Sequence, residues 1–92
     1  MRDDDFEWDD DKAAQNLKDH GVPFEVAREA FGDPNWMDFD DPDPDEERFN
    51  RTCMLKRQLY VVTYTERGVR TRIISARRAN KHEQRRYFDR RA

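Results

Sequence analysis

Residues 58–66 read Gln-Leu-Tyr-Val-Val-Thr-Tyr-Thr-Glu, and Arg67-Gly68 separates them from a second strand-like run over 69–76. This density of β-branched and aromatic residues predicts two antiparallel strands, and the X-Gly pair predicts a two-residue turn. No other feature restricts the fold as much, because a turn sets register and register sets faces. With Arg67-Gly68 as the turn, Glu66 opposes Val69, Tyr64 opposes Thr71, Val62 opposes Ile73 and Tyr60 opposes Ser75. On the other face Thr65 opposes Arg70, Thr63 opposes Arg72 and Val61 opposes Ile74. The Tyr60, Val62, Tyr64, Ile73 face is apolar and is expected to carry helix packing. The face with Arg70, Arg72, Thr63 and Thr65 is polar and is expected to be open or to line a groove.

The remaining elements follow from caps and periodicity. Phe6-Glu7-Trp8 reads as an edge strand or a cap. Asp9 suits an N-cap, 10–20 reads as helix, and Gly21 suits its C-terminal stop. Ala13 and Leu17 are expected to face the core, with Lys12, Asn16 and His20 forming a stripe beside them. Pro23 suits the start of a second helix, whose apolar stripe is Phe24, Ala27, Ala30 and Phe31; Gly32-Asp33-Pro34 ends it. A short strand is expected over Trp36–Phe39 and an exposed acidic loop over 40–45. Residues 48–55 form the next strand, with Lys56-Arg57 as a tight turn. Asn80 and Glu83 have capping-box spacing, so a last helix follows, anchored by Tyr87 and Phe88. Its charged positions are Arg85, Arg86, Arg90 and Arg91. The expectation is one α+β domain over 1–92: two N-terminal helices, a small antiparallel sheet of three to four strands, and a C-terminal helix.

Composition restricts the class further. Leu, Ile, Val and Phe make up 16 of 92 residues, a thin core, but 12% aromatics and a net charge of -3 argue against disorder. No apolar run has the ~18 residues of a membrane span. The opening Met-Arg-Asp-Asp-Asp is too acidic for a signal peptide, so the expectation is a cytosolic protein. The single Cys53 with His20 and His82 fits no zinc pattern, and three glycines allow no glycine-rich phosphate loop. No metal and no cofactor is therefore expected.

The small net charge conceals a split. Residues 1–47 hold 18 acidic and 4 basic residues, whereas residues 67–92 hold 10 basic and 2 acidic. A basic half of this strength attracts phosphates, and the acidic half can mask it. One explanation is internal: acidic segments lying against a basic sheet. The other is a nucleic-acid surface. Seven arginines lie between Arg67 and Arg86, flanked by Tyr60, Tyr64 and Tyr87, which suits single-stranded RNA.

Metal-free RNA cleavage needs a base for the 2′-hydroxyl, an acid for the 5′-oxygen, and cations around the phosphorane. His20 or Glu47 are the candidates for proton transfer, with Arg48, Arg72 and Arg77 for charge stabilisation. Each has a plain alternative. His20 can bond the last carbonyls of its helix, and Glu47-Arg48 can be a surface ion pair. Lys12 can pair with neighbouring carboxylates. Glu83 reads better as a cap, His82 as an exposed first-turn residue and Cys53 as a buried strand thiol.

The order Phe6-Glu7-Trp8-Asp9, Lys12, Asn16-Leu17, His20-Gly21-Val22, Phe24-Glu25, Phe31 and Asp33-Pro34 resembles the opening of the BrnT toxin family. The resemblance continues through Glu46-Glu47-Arg48-Phe49, Val61-Val62, Tyr64-Thr65-Glu66-Arg67-Gly68, Arg70 and Arg72–Arg77, and ends with Glu83, Arg85, Arg86 and Tyr87. It spans about residues 6–88, and its most specific part is Thr65–Arg77. It implies a RelE-like fold and a ribonuclease toxin of a type II toxin–antitoxin system, acting without a metal. His20, Glu47, Arg48, Arg72 and Arg77 would be the catalytic positions, with Lys12, Arg70, Arg85 and Tyr87 binding RNA. The implied partner is a BrnA-like ribbon-helix-helix antitoxin, whose complex with the toxin binds promoter DNA. A homodimer or a toxin–antitoxin heterotetramer is compatible with that arrangement. A non-catalytic nucleic-acid- or protein-binding module is the alternative.

Overall fold

The computed structural model describes residues 1–90; Arg91, read above as a charged position of the last helix, lies outside them. The elements are β1 (Phe6–Glu7), α1 (Asp10–His20), α2 (Phe24–Ala30), β2 (Met37–Asp41), β3 (Arg48–Leu55), β4 (Gln58–Arg67), β5 (Arg70–Arg78) and α3 (Lys81–Asp89). The strands form one sheet in the order β1-β5-β4-β3-β2. The α+β class and the three helices are as expected. The sheet is larger than the three to four antiparallel strands predicted: it has five, and β1 runs parallel to β5. The strand over Trp36–Phe39 also continues through Asp40 and Asp41, because pairing with Phe49 and Arg48 extends it into the acidic segment.

Local chemistry explains the helix ends. Asp9 caps α1 by accepting from the Asp11 and Lys12 N–H groups, and Gly21 ends it at φ +69°, where glycine carries no side-chain penalty. The Asn80–Glu83 capping box of α3 forms in both directions. Lys56-Arg57 does form the β3–β4 turn, but with φ +49° and +70°, the left-handed region where non-glycine residues are strained by about 1–3 kcal/mol each.

The hairpin turn lies one residue later than predicted. Gly68-Val69 forms it, closed by Arg67 opposite Arg70, with Gly68 at φ +60° as the first central residue. Glu66 therefore opposes Thr71, Thr65 opposes Arg72 and Tyr64 opposes Ile73. As far as Tyr64–Ile73 this two-residue displacement leaves each side chain on its expected face, but Ser75, expected opposite Tyr60, lies on the Thr63 face instead. Beyond Tyr64 the register shifts again: Thr63 pairs with Ser75, so Ile74 has no partner and forms a bulge.

Each side of the sheet has its own core. On one side Val62, Cys53 and Ile73 meet the helices, and the buried cluster holds Trp8, Val22, Phe24, Ala27, Ala30, Cys53, Val62, Ile73 and Ala76, while Tyr64 meets the Phe31 ring at the end of α2. Full burial of Phe24, Val22 and Ile73 stabilises by about 1.5–3 kcal/mol each. Burial without a hydrogen-bonding cation pushes the Cys53 thiol up to about 12. On the other side α3 covers only one end of the sheet, through Leu59, Val61, Ala79 and Tyr87.

Two expectations about helix faces are corrected. Leu17 is half exposed and the buried residue of α1 is Asn16. Asn16 donates to the carbonyls of Ala76 (2.8 Å) and Val22 (3.0 Å) and accepts from the Ala76 N–H (3.0 Å). β1 is too short to pair with β5 at Ala76, so an amide side chain takes the place of a strand. In α3 only Tyr87 is a core anchor; Phe88 is 49% exposed.

Candidate nucleic-acid interface

Alternation along the strands places Asp41, Arg48, Thr65, Arg72 and Glu7 in one row across all five strands. Asp41 pairs with Arg48, Thr65 with Arg72 and Glu7 with Arg72, while continuing the Phe49–Tyr64 pairing by one residue sets Arg48 beside Thr65. The next row is Phe39, Asn50, Thr63 and Ser75, where Thr63 Oγ1 donates to Asn50 Oδ1 (2.6 Å). The third is Met37, Thr52, Val61 and Arg77, where the cover by α3 begins. These rows form a polar face bounded by α3.

The bulge decides which arginines share this face. Arg72 and Arg77 are five residues apart, a spacing that places them on opposite sides of a regular strand. The extra residue at Ile74 reverses the alternation. Arg72 then lies beside Thr65 and Arg77 beside Val61, on the same side, about 13 Å apart along the strand. Without the bulge one of the two would point into the α1–α2 core.

Arg48, Arg70, Arg72 and Arg77 each have an acidic or carbonyl partner. Arg72 donates to Glu7 Oε2 at 2.6 Å. Arg77 makes a two-pronged contact with Glu83 at 2.8 Å on each arm. These bonds hold Glu83 below the usual carboxylate range and raise Arg77. Arg48 donates to Asp43 at 2.8 Å and lies 3.3 Å from Glu46. Arg70 donates through Nε to the Asp3 carbonyl at 2.6 Å, and Asp3 also pairs with Arg28. The internal reading of the charge split thus describes this region.

The proton-transfer candidates are not brought together. His20 is exposed at the end of α1, in a shallow depression shared with Lys12, Gln15, Asn16, Asp19, Ile74 and Ser75. Glu47 is exposed just before β3, in a separate depression of about 320 Å³ with Glu46, Phe49, Thr65, Glu66 and Arg67. The Glu47 carbonyl accepts from Thr65 Oγ1 (2.7 Å), which fixes its backbone beside the Arg48–Thr65–Arg72 row. Arg85 is exposed on α3. Tyr87 is 2% exposed, with its hydroxyl donating to Asp33 Oδ2 at 2.6 Å, so its ring belongs to the core and offers no stacking surface. Among the described residues no three His, Cys, Asp or Glu side chains are grouped to hold a metal ion. Among the same residues no helix is long and apolar enough to cross a membrane.

Sequence reasoning missed several residues that position the site. Glu7 is one, although its place between Phe6 and Trp8 was a usable signal: both rings pack into the core, so the carboxylate between them faces the opposite side. Asp33 is another. Burial would raise its carboxyl, but the Tyr87 hydroxyl and the Asn35 and Met54 N–H groups outweigh that and lower it. Arg51 is the third: it lies between the Phe31 and Trp36 rings at 3.9 and 4.0 Å and pairs with Asp38 through two bonds. It ties β2 and β3 to α2 on the side away from the polar face.

The model of the family described as "Ribonuclease toxin, BrnT, of type II toxin-antitoxin system" matches residues 8–83. The chain belongs to this family. No curated protein matches it.

Proposed function

With membership of a ribonuclease-toxin family as the premise, we propose that the polar sheet face is the RNA-cleaving site and that it works without a metal ion. The observation that carries this is the Ile74 bulge, which gathers Arg72 and Arg77 on the face that also holds Arg48. The scissile phosphate lies against Arg72 and Arg77, whose planar forks match phosphate oxygens. Arg48 adds positive charge where the phosphorane develops. Glu47 or His20 takes the 2′-hydroxyl proton as that oxygen attacks phosphorus, and the leaving 5′-oxygen is protonated in turn. Glu47 is the better placed of the two, since its backbone adjoins the arginine row. Lys12, Arg70 and Arg85 bind flanking phosphates. Tyr87 takes no part, because it is buried.

A type II toxin implies an antitoxin partner. We assign that role to a BrnA-like ribbon-helix-helix protein, whose complex with the toxin binds promoter DNA. The carboxylates already on Arg48, Arg72 and Arg77 favour a second reading, a module that binds without cleaving. Cleavage of a defined RNA in the presence of chelator, beside Arg72→Ala and Glu47→Ala, decides between them. Chelator-resistant cleavage lost in the variants supports the ribonuclease site. Tight binding with no cleavage supports the binding module.

A further inference from the structure

The cations at the α3 end of the molecule differ from those of the sheet face. Among the described residues no ion pair engages Lys56, Arg57, Lys81 or Arg85. Two shallow depressions meet at Phe88 and Gln84 between the β3–β4 turn and α3. One is lined by Arg57 with Met54, Gln58 and Leu59, the other by Lys81, Arg85 and Asp89. Phe88 sits between them with half its surface open, its ring edge-on to Tyr87 at 5.2 Å.

Two facts identify what this surface meets. First, Lys56 and Arg57 hold left-handed backbone that glycine or asparagine would adopt with less strain. The turn carries two cations at a cost in stability, which their fold-forming role does not explain. Second, the two depressions are small, about 300 and 140 Å³, and one edge of each is formed by the same exposed ring, Phe88. A protein partner anchors large side chains in deep, water-excluding pockets. A flat aromatic ring among unpaired cations suits a nucleobase stacked on the ring with its phosphates on the cations. Asp89 is the one acidic residue lining the two depressions, against three cations, Arg57, Lys81 and Arg85, with Lys56 adjoining them in the turn.

We propose that Phe88, with Arg57, Lys56 and Lys81, is a second single-stranded RNA contact next to the flanking-phosphate residue Arg85, at the end of the molecule beyond Arg77 and outside the cleavage chemistry. The proposal rests on the ribonuclease reading of the chain. Leu59, beneath this surface, is two residues along β4 from Val61, the partner of Arg77, and six from Thr65, the partner of Arg72, or about 7 and 20 Å. α3 bridges the interval, and its Arg86 guanidinium lies 3.9 Å from the Phe39 ring in the second row. RNA seated at Phe88 is thereby led past α3 towards Arg77 and Arg72.

The test is binding of a 2′-O-methyl single-stranded oligonucleotide, which cannot be cleaved by 2′-hydroxyl attack, across a salt series. Phe88→Leu keeps an apolar side chain and removes the ring; Arg57→Gly removes a cation and relieves backbone strain. Each is expected to weaken binding at least about fivefold. Arg57→Gly should also lower the slope of log affinity against log salt by about 0.7. Wild-type protein that cleaves RNA, with both variants binding as tightly as wild type, overturns this proposal and leaves the sheet-face reading standing. Wild-type protein that neither binds nor cleaves RNA overturns both. Unchanged RNA affinity with antitoxin affinity lost in the same variants assigns the surface to the antitoxin and overturns the proposal.

Discussion

The polar sheet face and the α3 end are both rich in arginine, yet they treat it in opposite ways. On the sheet face Arg48, Arg72 and Arg77 are each held by a carboxylate: Asp43 and Glu46, Glu7, and Glu83. At the α3 end no carboxylate among the described residues pairs with Lys56, Arg57, Lys81 or Arg85. The first arrangement fixes guanidinium positions at the expense of long-range attraction; the second keeps the attraction and leaves the side chains unconstrained by ion pairs. Positioned cations suit charge that develops in a transition state, and exposed cations suit capture of a polyanion. Net charge averages the two away.

The strongest way to break the comparison is to remove the charge on which cleavage depends. Arg72→Ala should lower the maximal cleavage rate by about 10²–10³, the usual loss for one transition-state donor. The same change frees Glu7, so RNA affinity should fall as well, but by far less than the rate.

A structural change sharpens it next. Asn16→Ala leaves the Ala76 N–H and carbonyl without partners and should cost about 2–4 kcal/mol, read by chemical denaturation. It loosens β5 close to the Arg72–Arg77 segment and leaves the β3–β4 turn intact. Cleavage should therefore fall more than oligonucleotide affinity does. Equal losses would show that the two regions are not distinct.

How much of this was legible in the sequence divides by mechanism. Elements specified by local chemistry were readable: the Asp9 cap, the Gly21 stop, the Asn80–Glu83 box and the limits of β3. Faces were readable between the turn and Ile73, where a pairing error of two residues preserves them, but Ser75 lies on the face opposite to the one expected. The bulge was not. Nothing in Arg72-Ile73-Ile74-Ser75-Ala76-Arg77 marks one isoleucine as extra; the choice follows from Ile73 and Ala76 both entering the α1–α2 core. Asn16 was placed beside the buried face because its polarity hid its role, and that role exists only because β1 ends early. The site's carboxylate partners were present as a charge total, but which acid meets which arginine depends on the sheet order.

Acid should separate the regions again. Glu83 is held below its ordinary value of 4.5, first by the hydrogen bonds from Arg77. A depressed folded-state value means that its stabilisation is complete above about pH 4.5 and is lost as pH falls through the folded value. Thermal melts from pH 6 to pH 3 should show a decline that is shallower in Glu83→Gln, while Arg57→Gly keeps the wild-type decline.

The smaller effects concern single contacts. Arg57→Gly should stabilise the fold by about 1 kcal/mol through relief of the left-handed turn, raising Tm by about 4–8 °C in a domain of this size. Glu7→Gln should strengthen RNA binding by a few-fold and steepen its salt slope by about 0.7, since one more arginine becomes available to phosphate. A Glu7→Gln protein that binds RNA as before would mean that Arg72 meets no phosphate in the ground state.

The most direct test of the central claim is single-turnover cleavage of a defined RNA, with chelator present and protein in saturating excess, by wild type and Arg72→Ala. Saturation removes the contribution of capture, so the rate reports the sheet face alone. The account predicts chelator-resistant cleavage by wild type and a maximal rate about 10²–10³ lower in a folded Arg72→Ala protein. A folded Arg72→Ala protein that cleaves at the wild-type maximal rate would contradict it, and would place the chemistry somewhere other than the face that the Ile74 bulge assembles.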